Sequence, residues 1–509
     1  MKRYFNKKNV SCFLMLMTGL TGMITISCEN KLDIDSANVA SETKQWTDIS
    51  DTRSSLMGLY GLTRAALQDN NAHWVYGEMR GKDFVSYKRS DLEAVYRNDL
   101  KASYPMISAL SNWRRFYAVV NAASIFIERA PEVYEKDERY TELNLKYDIA
   151  QARAIRAFAY FYMVRIWGDV PLLTKSYDDG KFTEFGRADQ ASVLAFASQE
   201  LLKAAEDLPY LYGVNLQTYY GVTSVEWRGV LFNKLTAYAL LAHIAAWQGK
   251  YIDADVFAKF VLDNYSKVGL FYSNITQLTG RTGIFSSSEN YSQLLNFQSS
   301  YAFNEATATG HIEQLTLAKP LTNKTMPDIF VPKDSVITIF NDPNDTRFGI
   351  DTISGLTRTN YFTNFSGEIP IFSKIKVIRD GDGDSDFNIF GSNLIFTRLE
   401  EITLLRAEAK AALGETGEAR TLLNVIRTSR GLPAFHEGRT ENILDVIFEE
   451  RRRELMGEGW RWYDIIRFNK LRKKDSNVVK LINEGGIYWP IATDVLRNNS
   501  KLVQNPYWK

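Results

Sequence analysis

Glu450, Glu454 and Glu458 recur at steps of four in the stretch IFEERRRELMGEGWRWYDIIRF, residues 447–468. On a helix that spacing lines three carboxylates along one face. Facing carboxylates are the equipment of acid and base catalysis, as in glycoside hydrolysis. Arg451, Arg453, Arg461 and Arg467 lie among them, however, so the favoured reading is an ion-pair network joining helices. Asp380, Asp382, Asp384 and Asp386 alternate as calcium ligands do, but Ser385 replaces the turn glycine and Gly391 occupies the place of the bidentate glutamate. A solvated turn is favoured there, and neither a metal site nor a cofactor is expected. His73, His243, His311 and His436 are scattered, and HExxH, GxSxG, CxxC and phosphate-loop patterns are missing. The remaining reactive side chain is a thiol. Of two cysteines, Cys12 lies inside an apolar run and Cys28 directly after it.

That run, from Cys12 to Ile26, follows Lys2, Arg3, Lys7 and Lys8 and has the form of a secretory signal. It falls short of the ~20 apolar residues of a spanning helix. Removing residues 1–27 takes those four cations from the 61 basic residues, leaving 57 against 60 acidic ones. Nothing in that balance suggests a nucleic-acid partner. Thr25, Ile26, Ser27 and Cys28 are similar to a bacterial lipobox, with Thr25 in place of the usual leucine. Cys28 is then the lipidated N-terminus of the mature chain, which keeps no internal disulfide. Residues 28–45 are polar and suit a tether.

The folded body is expected over 46–509. Its organising element is ARAIRAFAYFYMVRIWGDVPLL, residues 152–173, where Ala150, Ala154, Ala157, Phe161 and Val164 share one helical face of small side chains. Apolar residues on the other faces mark a central helix, which Gly168 and Pro171 end. Asp48 or Ser50 caps a helix running to about Leu67. Trp113–Arg129 is helical with Pro131 following it, Ala191–Leu208 is a further helix, and Trp227–Gln248 repeats the central pattern. Gly249, Tyr251 and Ala254, and again Gly414 and Ala419, match the turn of a tetratricopeptide repeat. Two regions break the pattern: Asn70–Asp91, read as a surface excursion within an insertion at about 70–110, and 265–395, read as loops and short strands crossing the scaffold.

In order, the lipobox, Leu56–Leu62, Gly77–Asp83, RAFAYFYMVRIWGDVPLL, LLAHIAAWQGKYIDA, RLEEITLLRAEAKAALG, LNVIRTSRGL, EERRRELMGEGWRWYDIIRF, WPI and QNP make a chain that resembles the SusD/RagB family of outer-membrane lipoproteins. The resemblance covers nearly the whole chain. It implies an all-α dominated, tetratricopeptide-like scaffold of four helix pairs, with loop and short-strand insertions forming the ligand face. It also implies a lipid-anchored, surface-exposed protein of the outer membrane that captures a glycan without catalysis. The implied partner is a SusC-like TonB-dependent transporter.

Stacking on sugar rings needs flat aromatic faces with amides, carboxylates and guanidinium groups at the rim. The two irregular regions supply both: His73, Trp74, Tyr76, Arg80, Asp83, Tyr87, Arg89 and Tyr96 in the first; Tyr272, Arg281, Phe285, Tyr291, Tyr301 and Asn304 in the second. Trp74, Tyr87, Tyr96, Arg281, Tyr291 and Tyr301 are the ligand-binding candidates, Arg80 and Asp83 belong to the framework the resemblance implies, and Trp113, Trp167, Trp227 and Trp247 are assigned to packing. A peptide-capturing protein of the RagB type and a helical glycoside hydrolase are the alternatives. Lipidation is tested directly: Cys28→Ala should leave the precursor uncleaved or release it from the membrane fraction, and normal processing with normal retention would refute the lipid anchor.

Overall fold

Thr141 caps the longest helix by accepting from the Asn144 N–H, and the helix runs over Glu142–Trp167. Every residue from Ala150 to Trp167 except Arg153 is buried, as a helix apolar on all sides requires. Gly168, at φ 76°, ends it. This is a computed structural model, and the residues it describes are 45–177, 183–214, 218–286, 291–299, 305–351, 353, 357–380 and 388–509. Residues 1–44, including Cys28, lie outside them, as do Tyr301, Asn304 and residues 381–387.

Helices of nine or more residues are numbered in chain order. Ile49–Gln68 (α1) is capped by Asp48, reciprocated by Asp51 in a capping box. Arg114–Lys136 (α2), Glu142–Trp167 (α3), Gln190–Asp207 (α4), Lys234–Trp247 (α5), Tyr251–Asn264 (α6), Leu399–Ala412 (α7) and Thr416–Ser429 (α8) follow. Each packs on the next, giving the four expected pairs α1/α2, α3/α4, α5/α6 and α7/α8. Small residues permit the close approach: Ala239, Ala242, Ala254, Ala258 and Ala409 build the core shared by α5, α6 and α7. Ile443–Glu454 (α9) returns to α7, and Arg461–Arg472 (α10) and Ser476–Glu484 (α11) close the chain's helical part. Among the described residues no helix is long and apolar enough to cross a membrane.

Three local expectations fail for identifiable reasons. α2 continues through Pro131 to Lys136; Ala130 and Val133, both fully buried, hold its last turns in place. The Trp227–Gln248 pattern is two elements, a single turn at Ser224–Trp227 and then α5, because Asn233 caps a new start by accepting from the Thr236 N–H at 3.0 Å. The Asn70–Asp91 stretch is largely core. Its helix Ala72–Gly77 is entirely buried and docks on the turn between α9 and α10, where a Cβ on Gly77 would come within 2.0 Å of the Gly459 carbonyl oxygen. Only glycine on both sides allows that contact.

The long insertion is irregular, as expected, with short helices and paired short strands among its described residues. Leu295–Phe297 pairs antiparallel with Leu394–Thr397, and Val85–Ser86 with Ile329–Phe330. The carboxylate column is an ion-pair network. Glu454, fully buried, receives Arg347 at 3.1 Å, Arg398 at 2.9 Å and Arg430 at 2.8 Å. Glu450 pairs with Arg347 and Arg453, each at 2.8 Å, and Glu458 with Arg398 at 2.8 Å and Lys374. Glu458 lies beyond the end of α9, in the turn, so the network spans a helix and the loop after it rather than one helical face.

Ala157 is fully buried; Ala157→Leu forces extra volume into a filled core and should cost about 1–3 kcal/mol, read as a lower melting temperature. The second prediction concerns acid. The cations around them hold Glu450, down to about 2, and Glu454 below the ordinary carboxylate range against the opposing cost of burial. Both therefore contribute stability above the unfolded value of 4.5 that is lost as pH falls toward about 2. Glu454→Gln should destabilise by about 3–5 kcal/mol at neutral pH and flatten that acid limb in thermal melts.

Candidate ligand-binding site

A cleft of about 640 Å³ opens between α1, the Ser224–Trp227 turn and the insertion strand at Leu295–Phe297. α1 turns Leu56, Leu59 and Thr63 inward, which leaves Arg53, Met57, Tyr60 and Arg64 on the cleft side. The Arg64 guanidinium donates to the Gln298 carbonyl at 2.7 Å and pairs with Glu305 at 2.6 Å. Trp227 lines the opposite wall and donates its Nε1–H to the Tyr219 carbonyl at 3.0 Å. Tyr60 donates to Gln151 Oε1 at 2.9 Å and accepts from the Phe232 N–H at 2.8 Å. Burial raises the Tyr60 hydroxyl far above its ordinary range, so it stays a donor. Asn296, also in the lining, has its amide nitrogen engaged by Gln293 Oε1 at 2.5 Å, while its Oδ1 has no hydrogen-bond partner among the described residues. An unsatisfied buried acceptor beside a cleft suits a ligand hydroxyl or a water. Trp227 packs against the core, as its place in the sequence implies, and is also a partly exposed wall of the cleft.

The candidate residues read from sequence do not converge on one cavity. Trp74 is buried in the core, with its Nε1–H donated to the Gly457 carbonyl at 3.1 Å, so its ring is not presented to a ligand. His73 beside it bridges the Tyr162 hydroxyl at 2.6 Å and the Glu458 carbonyl at 2.9 Å. Arg80 donates to the Gly486 and Ile487 carbonyls, and Asp83 pairs with Arg452 at 2.6 Å; both serve the framework, as expected. Tyr87 is exposed, with Lys88 Nζ 5.0 Å from its ring centroid. Tyr96 lines a second cleft of about 570 Å³, together with a parallel stack of Phe448 and Phe468 at 4.1 Å. Three of the cations lining that second cleft are paired with carboxylates: Arg461 with Asp83, Lys474 with Asp445 and Arg97 with Glu93. Arg281 is exposed, and Tyr291 stacks on Phe271 at 5.7 Å with Arg228 over its ring at 4.5 Å. Tyr301 lies outside the described residues. Gln298 and Glu305, which bracket it in sequence, both line the 640 Å³ cleft.

Carboxyl groups with raised proton affinity lie beneath the surface. Burial pushes Glu78 up to about 8, Glu313 to about 7 and Asp148 to about 6. Each is occupied by internal donors: Glu78 by the Gly459 N–H, Glu313 by the Ser392 hydroxyl, Asp148 by tyrosines. None lines either cleft. The two carboxylates that do line the larger one are Glu305, held by Arg64, and Glu226, exposed to solvent. His243 stacks on Trp460 in the core and His311 faces Ser392, while His436 is exposed. Among the described residues no three His, Cys, Asp or Glu side chains are grouped as a metal ion would need.

The fold defines a helical-repeat protein in which paired helices and the irregular insertions together line the clefts. The SusD family model matches residues 372–480. The chain is 52% identical to a SusD superfamily protein of Bacteroides thetaiotaomicron VPI-5482 of known crystal structure; the match covers 91% of this chain and 100% of that one at a TM-score of 0.84. A SusD homolog from the same organism superposes with a TM-score of 0.74 at 24% identity, over 91% of this chain and 99% of that one. SusD-like protein P38 of Formosa agariphila is 26% identical, over 98% of this chain and 99% of its own. The chain belongs to the SusD/RagB family. Membership supports a non-catalytic, carbohydrate-binding role and an outer-membrane setting.

The buried Trp74 and the cleft-lining Trp227 give opposite expectations under a quencher. In acrylamide titrations, Trp227→Phe should remove an accessible component of the emission, whereas Trp74→Phe should remove an inaccessible one and lower the melting temperature.

Proposed function

We propose that this protein captures a neutral oligosaccharide in the cleft between α1, the Ser224–Trp227 turn and residues 296–298, and delivers it to a SusC-like TonB-dependent transporter, held at the outer-membrane surface by a lipid on Cys28. The observation that carries the reading is the composition of that cleft. Trp227 and Tyr60 supply ring surface, and Arg53, Arg64, Asn296, Gln298, Glu226 and Glu305 surround it with donors and acceptors. This is the pairing of flat apolar faces with convergent polar groups that sugar rings require.

The charge in the cleft supports a neutral ligand. Two guanidinium groups face two carboxylates, and Arg64 is already engaged by Glu305. A uronate or sulfate would meet Glu226 and Glu305 without an unmatched buried cation to offset them. Tyr301 remains a candidate second platform on this reading, and Tyr87, Tyr291 and Arg281 candidate contacts for a longer chain.

The experiment is calorimetry of the protein truncated before Cys28 against neutral and acidic polysaccharides and a peptide pool. A neutral glycan should bind, and Trp227→Ala should lower its affinity at least tenfold, about 1.4 kcal/mol, without changing the melting temperature beyond about 2 °C. Raising salt from about 0.05 M to about 0.5 M should leave that affinity within a factor of about two, since no net charge is neutralised. Binding of peptides alone would favour the RagB-type alternative, and shortening of the polysaccharide during incubation would make the protein an enzyme.

A further inference from the structure

The floor of the cleft is tied to the central helix by one carboxylate. Asp148, on α3, is fully buried and has no ion-pair partner among the described residues. Its Oδ2 accepts from the hydroxyls of Tyr140 at 2.8 Å and Tyr220 at 2.5 Å, and its Oδ1 accepts from the Tyr219 hydroxyl. Burial pushes its carboxyl up to about 6 despite these three donors. A buried carboxylate answered only by neutral hydroxyls is costly unless their geometry is held closely.

Two of those tyrosines form a tight turn. Tyr219 and Val222 exchange backbone hydrogen bonds at 3.1 Å each, around Tyr220 at φ 53° and Gly221 at φ 76°. Positive φ at both central residues is the signature of a type I′ turn, and a tyrosine in the first of them is strained. The Tyr220 hydroxyl, anchored on Asp148 and 3.0 Å from Thr52 Oγ1, holds that residue in place. The turn reaches the cleft twice: Val222 lines it, and the Tyr219 carbonyl receives the Trp227 Nε1–H. A second branch runs from the Tyr219 hydroxyl, which accepts from Gln151 Nε2 at 2.8 Å, through Gln151 Oε1 to the Tyr60 hydroxyl. Trp227 and Tyr60, two of the aromatic residues lining the cleft, are thus orientated from one buried atom group.

We propose that Asp148 is a positioning residue that sets the tilt of the Trp227 and Tyr60 rings and thereby the affinity of the cleft for its ligand; this rests on the cleft being the glycan site. Asp148→Asn keeps the shape but replaces one acceptor oxygen with a donor, so at least one tyrosine hydroxyl must turn round. The turn then loses an anchor while the helices keep their packing.

The protein labelled with 5-fluorotryptophan reports this directly, because each of its ten tryptophans gives one fluorine resonance and Trp227→Phe identifies that of residue 227. In Asp148→Asn the Trp227 line should shift or broaden, the lines of distant indoles should stay in place, and affinity for the neutral glycan should fall about tenfold. Tyr220→Phe, which removes one hydroxyl only, should move the same line by less and serves if Asp148→Asn does not fold. An unmoved Trp227 line in the folded variants overturns the proposal, as does undiminished affinity in a protein where Trp227→Ala abolishes binding. If Trp227→Ala leaves glycan binding intact, the assignment of the cleft fails instead, and the fluorine spectra still decide whether Asp148 orientates the ring.

Discussion

A carboxylate with no access to water, surrounded by three guanidinium groups, is the constraint on which the rest of the molecule depends. Glu454 is reached by Arg347 from the long insertion, by Arg398 from the start of α7 and by Arg430 from the end of α8. Desolvating four charges is expensive, and the arrangement is tolerable only because nearly every lone pair is matched. Glu450, Glu458, Asp345 and Lys374 complete the match. The consequence is topological. Residues more than a hundred apart in sequence are bound to one atom group, so the insertion cannot drift relative to the repeats without exposing an unpaired buried charge.

Long periodic segments and dense charge were legible in the amino-acid sequence. The apolar, alanine-rich run that marks α3 is legible because the helix is buried on all sides, and the arginines among Glu450, Glu454 and Glu458 point to an ion-pair network, although of Arg451, Arg453, Arg461 and Arg467 it is Arg453 that pairs with this column and the others with Glu401, Asp464, Asp83 and Glu408. What failed were contacts between distant segments. The stretch from Asn70 looks like a loop because Asn70 and Asn71 are turn residues, and both do adopt left-handed backbone. Nothing local says that Ala72–Gly77 will be buried, because its partner is the Gly457–Gly459 turn, some 380 positions away. Trp74 therefore reads as a surface ring in the sequence and is a core one in the structure.

Trp227 shows the converse: it packs against the core, as its place in the sequence implies, and it also lines the cleft. Counting apolar residues from Leu231 through Ala245 at helical steps carried the helix back across Gly229 and Asn233 and gave Trp227 a place in the packing. Asn233 is a cap, however, and the single turn before it stands apart from α5. A cap inside an otherwise periodic run was the available signal. The same reasoning applies at Gly457 and Gly459, where the run from α9 into α10 hides a turn.

The two buried networks differ in chemistry for a physical reason. The cluster around Glu454 joins long elements and draws on charge, whose reach across a low-dielectric interior holds segments that share no backbone pairing. The network around Asp148 works at shorter range on a one-turn helix too small to be stable by itself, and it uses hydroxyls, whose directionality fixes rotation as well as position. A stacking ring is most effective if its rotamer is already restricted when the ligand arrives, since immobilising it then would cost on the order of 0.5–1.5 kcal/mol. A cation in place of the tyrosines would satisfy Asp148 more strongly, yet it would hold the turn through a point charge rather than through two rings packed at 4.8 Å. On the proposed reading, neutral donors are therefore the better means of holding an aromatic wall, and the raised proton affinity of Asp148 is the cost of using them.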